Sequence, residues 1–132
     1  MAGETPARSN DHLLTPQNAM LAVIDYQPEQ VGTVGSIAHD ELMLNITAVA
    51  RAARAYELPV VLTTVGVKLG ANSGTIDELR EALPPTEEID RTTLNSWEDT
   101  DFRSAVEATG RKKVVITGLW TEVCVAFPAL DQ

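Results

Sequence analysis

Short runs of consecutive apolar residues alternate along this chain with longer segments of mixed polarity. The runs Met20–Ile24 (MLAVI), Val60–Val65 (VVLTTV) and Val114–Thr117 (VVIT) are almost entirely apolar and rich in β-branched residues. Runs of this kind are typical of strands that are buried on both faces, as in a parallel sheet. A further short strand is predicted over Thr86–Asp90, so the pattern indicates four strands in all.

The longest helix is predicted over Asp40–Tyr56, between the first two strands. Apolar residues recur there at steps of three or four, which is the spacing of one face of an α-helix. The residues of this predicted inward stripe are Leu42, Ile46, Val49, Ala53 and Tyr56.

Two shorter helices are predicted further along the chain. Thr75 followed three residues later by Glu78 has the form of a capping box, which predicts a helix that begins there. Another helix is predicted from about Thr100 to a C-cap at Gly110. Its predicted inward residues are Phe102 and Val106.

The alternation of strands and helices predicts a three-layer α/β/α fold with a parallel Rossmann-like sheet. We expect residues 1–17 to form a polar leader and residues 18–132 to form one domain. Ligands of such sheets bind beyond the carboxyl ends of the strands. Asp25 and the stretch Gly118–Cys124 both follow predicted strands and are therefore expected at that edge.

Composition narrows the class of protein without naming a function. Ten Lys and Arg against nineteen Asp and Glu give a formal net charge of −9, which disfavours binding to nucleic acid or to anionic membranes. No stretch approaches the roughly 18 apolar residues of a membrane span, and the first residues lack the apolar core of a signal peptide. We therefore expect a cytoplasmic protein.

Cys124 is the one cysteine in the sequence. It lies where a strand is predicted to turn into a helix, and the unpaired N–H groups of a helix N-terminus favour a thiolate. Asp25 and Arg91 are candidates for the base and the cation that a nucleophilic cysteine also requires. The alternative is that Cys124 is a small buried core residue.

Three separated segments resemble one family. LAVIDYQ contains Asp25 and Gln27 in an Asp-x-Gln arrangement, and GLWTEVCV, residues 118–125, resembles a Gly-x-x-Thr-x-x-Cys-Val pattern. RTTLNSW, residues 91–97, keeps the spacing of a Lys-x-x-x-Ser-Ala-Phe pattern with Arg91 in place of the lysine. Together these segments resemble the isochorismatase-like cysteine hydrolases, closest to their YcaC-like branch. We call residues 118–125 the nucleophile segment.

The resemblance implies a catalytic role for three side chains. Cys124 would be the nucleophile, Asp25 the general base that accepts its proton, and Arg91 the cation at the lysine position. The reaction implied is hydrolysis of a small amide or a related substrate through a thioester on Cys124. From the residues alone, Asp25 has the alternative of capping a turn, and Arg91 that of a surface or salt-bridging arginine.

The resemblance also implies an oxyanion hole and a substrate pocket. The oxyanion donors would be the backbone N–H groups of Trp120 and Cys124, with a cis peptide between Leu119 and Trp120. The residues expected at the substrate pocket are Gln27, Trp97, Trp120 and Thr121. For the two tryptophans the alternative is a place in the core.

Partners and completeness follow from the same resemblance. We expect a small-molecule substrate, a homo-oligomer, no cofactor and no metal, because neither His12 nor His39 forms an Asp-x-His arrangement after Asp25. Relatives continue through two more strands, so we expect a C-terminally incomplete domain with an uncovered edge on the fourth strand. The alternative function is a non-catalytic remnant that serves assembly or binding.

Overall fold

The computed structural model describes residues 13–93 and 95–119. These residues form one sheet of four strands, in which every neighbouring pair is parallel and the order is β3-β2-β1-β4. The predicted parallel sheet is confirmed, with the third strand beginning two residues later and ending one residue later than expected. The strands are β1 (Ala19–Ile24), β2 (Val60–Val65), β3 (Glu88–Arg91) and β4 (Lys113–Gly118).

Helices cover both faces of this sheet. They are α1 (Pro28–Val31), α2 (His39–Ala55), α3 (Asp77–Ala82) and α4 (Thr100–Ala108), with a 3₁₀ turn at Ser96–Glu98. Because successive strand residues point to opposite faces, Leu21 and Val23 of β1 pack in the cluster that holds α2 and α3 residues. Met20 and Ile24 pack in the cluster of α4. The three-layer architecture is therefore confirmed.

The inward face of α2 differs in part from the predicted stripe. Ile46 and Ala53 are buried as expected, but the residue between them is Ala50, while Val49 is 39% exposed. Positions 46, 50 and 53 follow the four-then-three spacing of a helix face, and Val49 falls on its flank. Tyr56 is 63% exposed, because it lies beyond the last helical residue.

The predicted capping box at Thr75 is wrong. Helix α3 begins at Asp77 with Ile76 as its N-cap, and no side chain caps it. The backbone N–H of Thr75 instead donates to Glu88 Oε1 on β3 at 2.7 Å, which holds Thr75 outside the helix. Helix α4 ends at Ala108 with Thr109 as its C-cap, so the predicted C-cap at Gly110 is wrong by one residue. Gly110 follows in the left-handed region at φ +67°.

The neighbouring strands β1 and β4 differ in burial. All six residues of β1 are buried, because β1 has a paired strand on each side and helices on each face. All six residues of β4 are only half-buried, and among the described residues β4 pairs with β1 alone. No helix in this part of the chain is long and apolar enough to cross a membrane.

Candidate active site

Asp25 lies immediately beyond β1, at the carboxyl edge of the sheet. Its backbone has φ +64°, a left-handed conformation that Asp and Asn enter more readily than most residues. Its backbone N–H donates to the carbonyl of Thr63 at 3.1 Å, so the turn is tied to the neighbouring strand. The side chain is fully buried.

Arg91, the last residue of β3, reaches Asp25 across the intervening strand. Its Nη1 donates to Asp25 Oδ1 and its Nη2 to Asp25 Oδ2, both at 2.7 Å. Both side chains have 0% exposure. This is the bidentate geometry in which a guanidinium binds a carboxylate most strongly. The structure thus brings together two of the three predicted catalytic residues and excludes a surface position for Arg91.

Two threonines of β2 also contact Arg91 of this pair. Arg91 Nη1 also donates to Thr63 Oγ1 and to the carbonyl of Thr64, each at 3.1 Å. The Thr63 hydroxyl in turn donates to the carbonyl of Ile89 at 2.7 Å. The sequence pattern predicts only a strand position for Thr63 and Thr64. The signal available was a pair of hydroxyl side chains at the end of an otherwise apolar buried strand.

Gln27 fastens the turn after β1 to the end of β2. Its Nε2 donates to the carbonyls of Val65 and Ser73 at 3.0 and 2.8 Å, and its Oε1 accepts from the N–H of Val65 at 3.1 Å. The side chain is fully buried. Its amide therefore acts as a backbone-like partner for Val65, and its predicted place in a substrate pocket stays a prediction.

The loop that follows β2 is anchored by Asp90. Its carboxylate accepts from the N–H groups of Val67 and Lys68, each at 3.0 Å, and from Thr64 Oγ1 at 2.9 Å. Burial acts to raise the pKa of Asp90, but these hydrogen bonds and the charge of Lys68 outweigh it, so the pKa lies below its ordinary value. Asp90 therefore binds this loop beside the Asp25–Arg91 pair.

Trp97, expected at the substrate pocket or in the core, packs against α4. Its ring meets that of Phe102 edge to face, with centroids 6.4 Å apart, and the guanidinium of Arg103 lies 5.9 Å from its centroid. The side chain is partly buried against the α4 cluster. These contacts favour the core alternative, and a substrate contact stays a prediction.

The remaining predicted site residues lie outside the described residues. They are Trp120, Thr121 and Cys124, together with the predicted cis peptide before Trp120. The described chain reaches Leu119, which is buried directly after β4. Within residues 13–93 and 95–119, no three His, Cys, Asp or Glu side chains are grouped as ligands for a metal ion.

The Asp25–Arg91 pair lies at the position in the sheet where ligands are expected to bind. Strands β2 and β3 lie on one side of β1 and β4 lies on the other, so strand order reverses between β1 and β4. Such a reversal point is where ligands bind in open α/β sheets. Asp25 follows β1 at this point, and each of its oxygens has capacity for a further hydrogen bond beyond the one from Arg91.

A comparison with protein-family models identifies the class to which this site belongs. Residues 19–132 match the isochorismatase domain. The chain belongs to the isochorismatase family. The first strand, Asp25, the Arg91 segment and the nucleophile segment all lie within the matched residues.

Relatives within the isochorismatase family match over most of this chain. It is 38% identical over 119 residues to the probable hydrolase YcaC of Escherichia coli, an alignment that covers 89% of this chain and 57% of the relative. It is 28% identical over 121 residues to the secreted isochorismatase effector Isc1 of Verticillium dahliae, covering 86% of this chain and 64% of that protein. The chain thus spans less than two thirds of the length of these relatives.

Solved structures of family members agree with the fold. YcaC from Pseudomonas aeruginosa, determined with hexane-2,5-diol and covalent acrylamide, superposes with a TM-score of 0.83 at 38% identity. The Escherichia coli YcaC structure, described as an octameric hydrolase of unknown specificity, gives 0.83 at 37%. Each superposition covers 89% of this chain and 58% of the solved one.

Proposed function

We propose that this protein is a cysteine hydrolase that cleaves a small amide-type substrate through a thioester on Cys124. The observation that carries the proposal is the fully buried, bidentate Asp25–Arg91 pair at the reversal point of the sheet. A buried ion pair is a poor source of stability, because desolvation of both charges offsets their attraction. A catalytic role accounts for its placement.

Membership of a family that includes hydrolases supports the proposal. YcaC of Escherichia coli is a probable hydrolase, and YcaC of Pseudomonas aeruginosa carries a covalent acrylamide. Acrylamide is an electrophile, so a covalent adduct requires a nucleophilic group in that relative. We propose that the corresponding group in this chain is the Cys124 thiol, the only thiol in its sequence.

In the first half of the reaction, the Cys124 thiol gives its proton to Asp25 and the sulfur attacks the substrate carbonyl carbon. The resulting oxyanion would be bound by the backbone N–H groups of Trp120 and Cys124. The carbon–nitrogen bond then breaks, and the leaving amine takes the proton held by Asp25. The products of this half are a free amine and a thioester.

In the second half, water attacks the thioester carbonyl and gives a proton to Asp25. Collapse of the intermediate breaks the carbon–sulfur bond and releases a carboxylic acid, and Asp25 returns the proton to Cys124. Arg91 takes no part in proton transfer, because a guanidinium stays charged. Its role is to hold both oxygens of Asp25 in one orientation and to supply positive charge beside the thiolate.

The test is the rate at which iodoacetamide alkylates Cys124 across the pH range. The variant Asp25→Asn keeps the shape of the side chain but removes the base, and Asp40→Asn, at an exposed position in the first turn of α2, is the matched control. We expect fast alkylation at neutral pH in the parent and in the control, and a loss of about tenfold or more in Asp25→Asn. For turnover of a small amide, the loss expected on removing a general base is about 10²- to 10⁴-fold.

The same experiment distinguishes the proposed function from the alternative of an assembly or binding protein without turnover. If Cys124 reacts like an ordinary thiol, with a midpoint near pH 8.5 in both the parent and Asp25→Asn, the nucleophile assignment is wrong and that alternative replaces it. We also propose a homo-oligomer, because the Escherichia coli relative is octameric. Light scattering coupled to gel filtration tests this state, and a monomer at micromolar concentration would contradict it.

A further inference from the structure

A hydroxyl pair joins the turn after β1 to the end of β4. The phenol oxygen of Tyr26 lies 2.5 Å from Thr117 Oγ1. Thr117 is the next-to-last residue of β4 and pairs in register with Val23 of β1. The two hydroxyls therefore meet at the carboxyl edge of the sheet, just before the nucleophile segment begins.

Adjacent residues of this turn bind strands on opposite sides of β1. Asp25 is bonded to Arg91 of β3, and Tyr26 is bonded to Thr117 of β4. The left-handed backbone at Asp25 turns the chain between these two residues. The position of the proposed base and the position of the end of β4 are therefore set from one point.

Tyr26 is itself held firmly. Its carbonyl accepts from the N–H of Ile76 at 2.9 Å, and its side chain is 4% exposed. Its ring belongs to the same core cluster as Leu119, the residue that follows β4. Tyr26 can therefore act as a fixed reference for the neighbouring strand.

Strand β4 is less firmly packed than β1, so a contact that fixes its end has a larger effect on its position. It is half-buried along its whole length, and its amino end is fixed by a hydrogen bond from the N–H of Lys113 to the carbonyl of Asn18 at 3.0 Å. At its carboxyl end, the hydroxyl pair is a side-chain hydrogen bond that ties β4 to the turn after β1.

We propose that Tyr26 and Thr117 are positioning residues that fix the end of β4, where the nucleophile segment begins, relative to the Asp25–Arg91 pair. This inference rests on the proposed function, because it assigns the pair a role in bringing Cys124 to Asp25. Neither hydroxyl takes part in the chemistry. Burial raises the pKa of the Tyr26 phenol, an effect that the Thr117 hydrogen bond reduces without reversing, so the phenol stays neutral wherever Asp25 can act as a base.

The experiment is a double-mutant cycle with Tyr26→Phe and Thr117→Val, read by alkylation of Cys124 with iodoacetamide across pH. Trypsin cleavage after Lys113 releases the peptide that begins at Val114 and contains Cys124, so mass spectrometry reports on this residue alone. Tyr56→Phe, at a tyrosine that is 63% exposed, is the matched control. The thermal unfolding midpoint of each variant is measured in parallel.

We expect Tyr26→Phe to slow alkylation at neutral pH by about five- to tenfold, less than the roughly 100-fold that a 1 Å misplacement can cost an enzyme. The midpoint of the pH profile should move towards the ordinary thiol value near 8.5. Thr117→Val should have the same effect, and the double variant should be no slower than either single one, because both remove one shared contact.

Three patterns of results contradict the proposal, and they differ in what else they contradict. If Asp25→Asn slows alkylation but Tyr26→Phe and Thr117→Val react at the parent rate, the pair stabilises the fold without positioning Cys124, even where the unfolding midpoint falls. If the parent and Asp25→Asn react equally as ordinary thiols, the proposed function fails and the positioning role fails with it. Additive slowing in the double variant would contradict a shared contact.

Discussion

The strand β3 carries one member of each of two very different ion pairs. Its last residue, Arg91, pairs with Asp25, and both side chains have 0% exposure. Its first residue, Glu88, pairs with Arg80, and these side chains keep 23% and 51% exposure. Both are arginine–carboxylate pairs, but they differ in exposure to solvent.

The comparison shows that an ion pair can fix the position of a side chain without adding much to the stability of the fold. An exposed pair contributes about 0 to 1 kcal/mol and is screened by salt, so Arg80–Glu88 is a minor surface contact. A buried pair contributes little net stability over apolar residues, yet it is costly to break, because the remaining charge is left without a partner. Arg91–Asp25 therefore fixes a carboxylate at one place on the sheet edge, as the proposed role of Asp25 as a base requires.

The largest effect is expected from breaking the buried pair. Arg91→Met leaves the Asp25 carboxylate buried and unpaired, and we expect the free energy of unfolding to fall by about 3 to 5 kcal/mol. Urea denaturation measures the change. Arg51→Met, at an exposed arginine of α2, should change stability by no more than about 0.5 kcal/mol. Asp25→Asn combined with Arg91→Met should recover part of the loss, because it removes the unpaired charge and Asn tolerates the left-handed backbone at this position, and no recovery would contradict this account.

A smaller effect is expected from the hydroxyl that supports the buried pair. Thr63→Val removes an acceptor of Arg91 and leaves the Ile89 carbonyl without its 2.7 Å donor. We expect a loss of about 1 to 3 kcal/mol by urea denaturation. Thr47→Val is the matched control, because among the described residues its hydroxyl bonds to carbonyls of the preceding turn of α2 alone. A loss as large as that of Thr63→Val would refute a specific role for Thr63.

Asp90 lies on β3 between Glu88 and Arg91, and its contribution to stability is expected to depend on pH. Hydrogen bonds lower the pKa of folded Asp90 below its unfolded value near 3.9. Its contribution is therefore fully present above about pH 4 and is lost as pH falls through the lowered folded pKa. Asp90→Asn should lower stability by about 1 kcal/mol at pH 7, and the difference from the parent should shrink below pH 4. A difference that does not change with pH would contradict this assignment.

The smallest effect is expected at the surface pair. Arg80→Gln should lower the free energy of unfolding by no more than about 1 kcal/mol, and 1 M NaCl should remove the difference from the parent. Arg80 is the better position to vary, because Glu88 also accepts from the N–H of Thr75. A larger loss of stability that persists in 1 M NaCl would contradict the conclusion that the exposed pair contributes less than the buried one.

Much of the fold could be predicted from the sequence, because buried parallel strands have a direct apolar signature. The runs at β1, β2 and β4 were located to within a residue of their ends. The errors lie where a tertiary contact outweighs a local pattern. Thr75 has the residue type of a helix cap, but Glu88, distant in sequence, takes its N–H group.

The candidate site was predictable only in part. Asp25 and Arg91 were expected together from the resemblance, and the structure gives their distance and burial, which spacing along a chain does not contain. The contacts of Gln27 with Val65 and Ser73 depend on how the loop after β2 folds back. The pairing of Tyr26 with Thr117 depends on the side of β1 that β4 occupies. Neither arrangement has a local pattern that would reveal it.

The left-handed backbone at Asp25 limits which acids can serve at this position. At φ +64° a short side chain such as Asp or Asn is tolerated, whereas Glu enters this region with more strain. An Asp25→Glu exchange would preserve charge and acidity but would alter the path of the chain from which both Arg91 and Thr117 are reached. Handedness of the main chain, and not acidity alone, therefore restricts the amino acids compatible with this site.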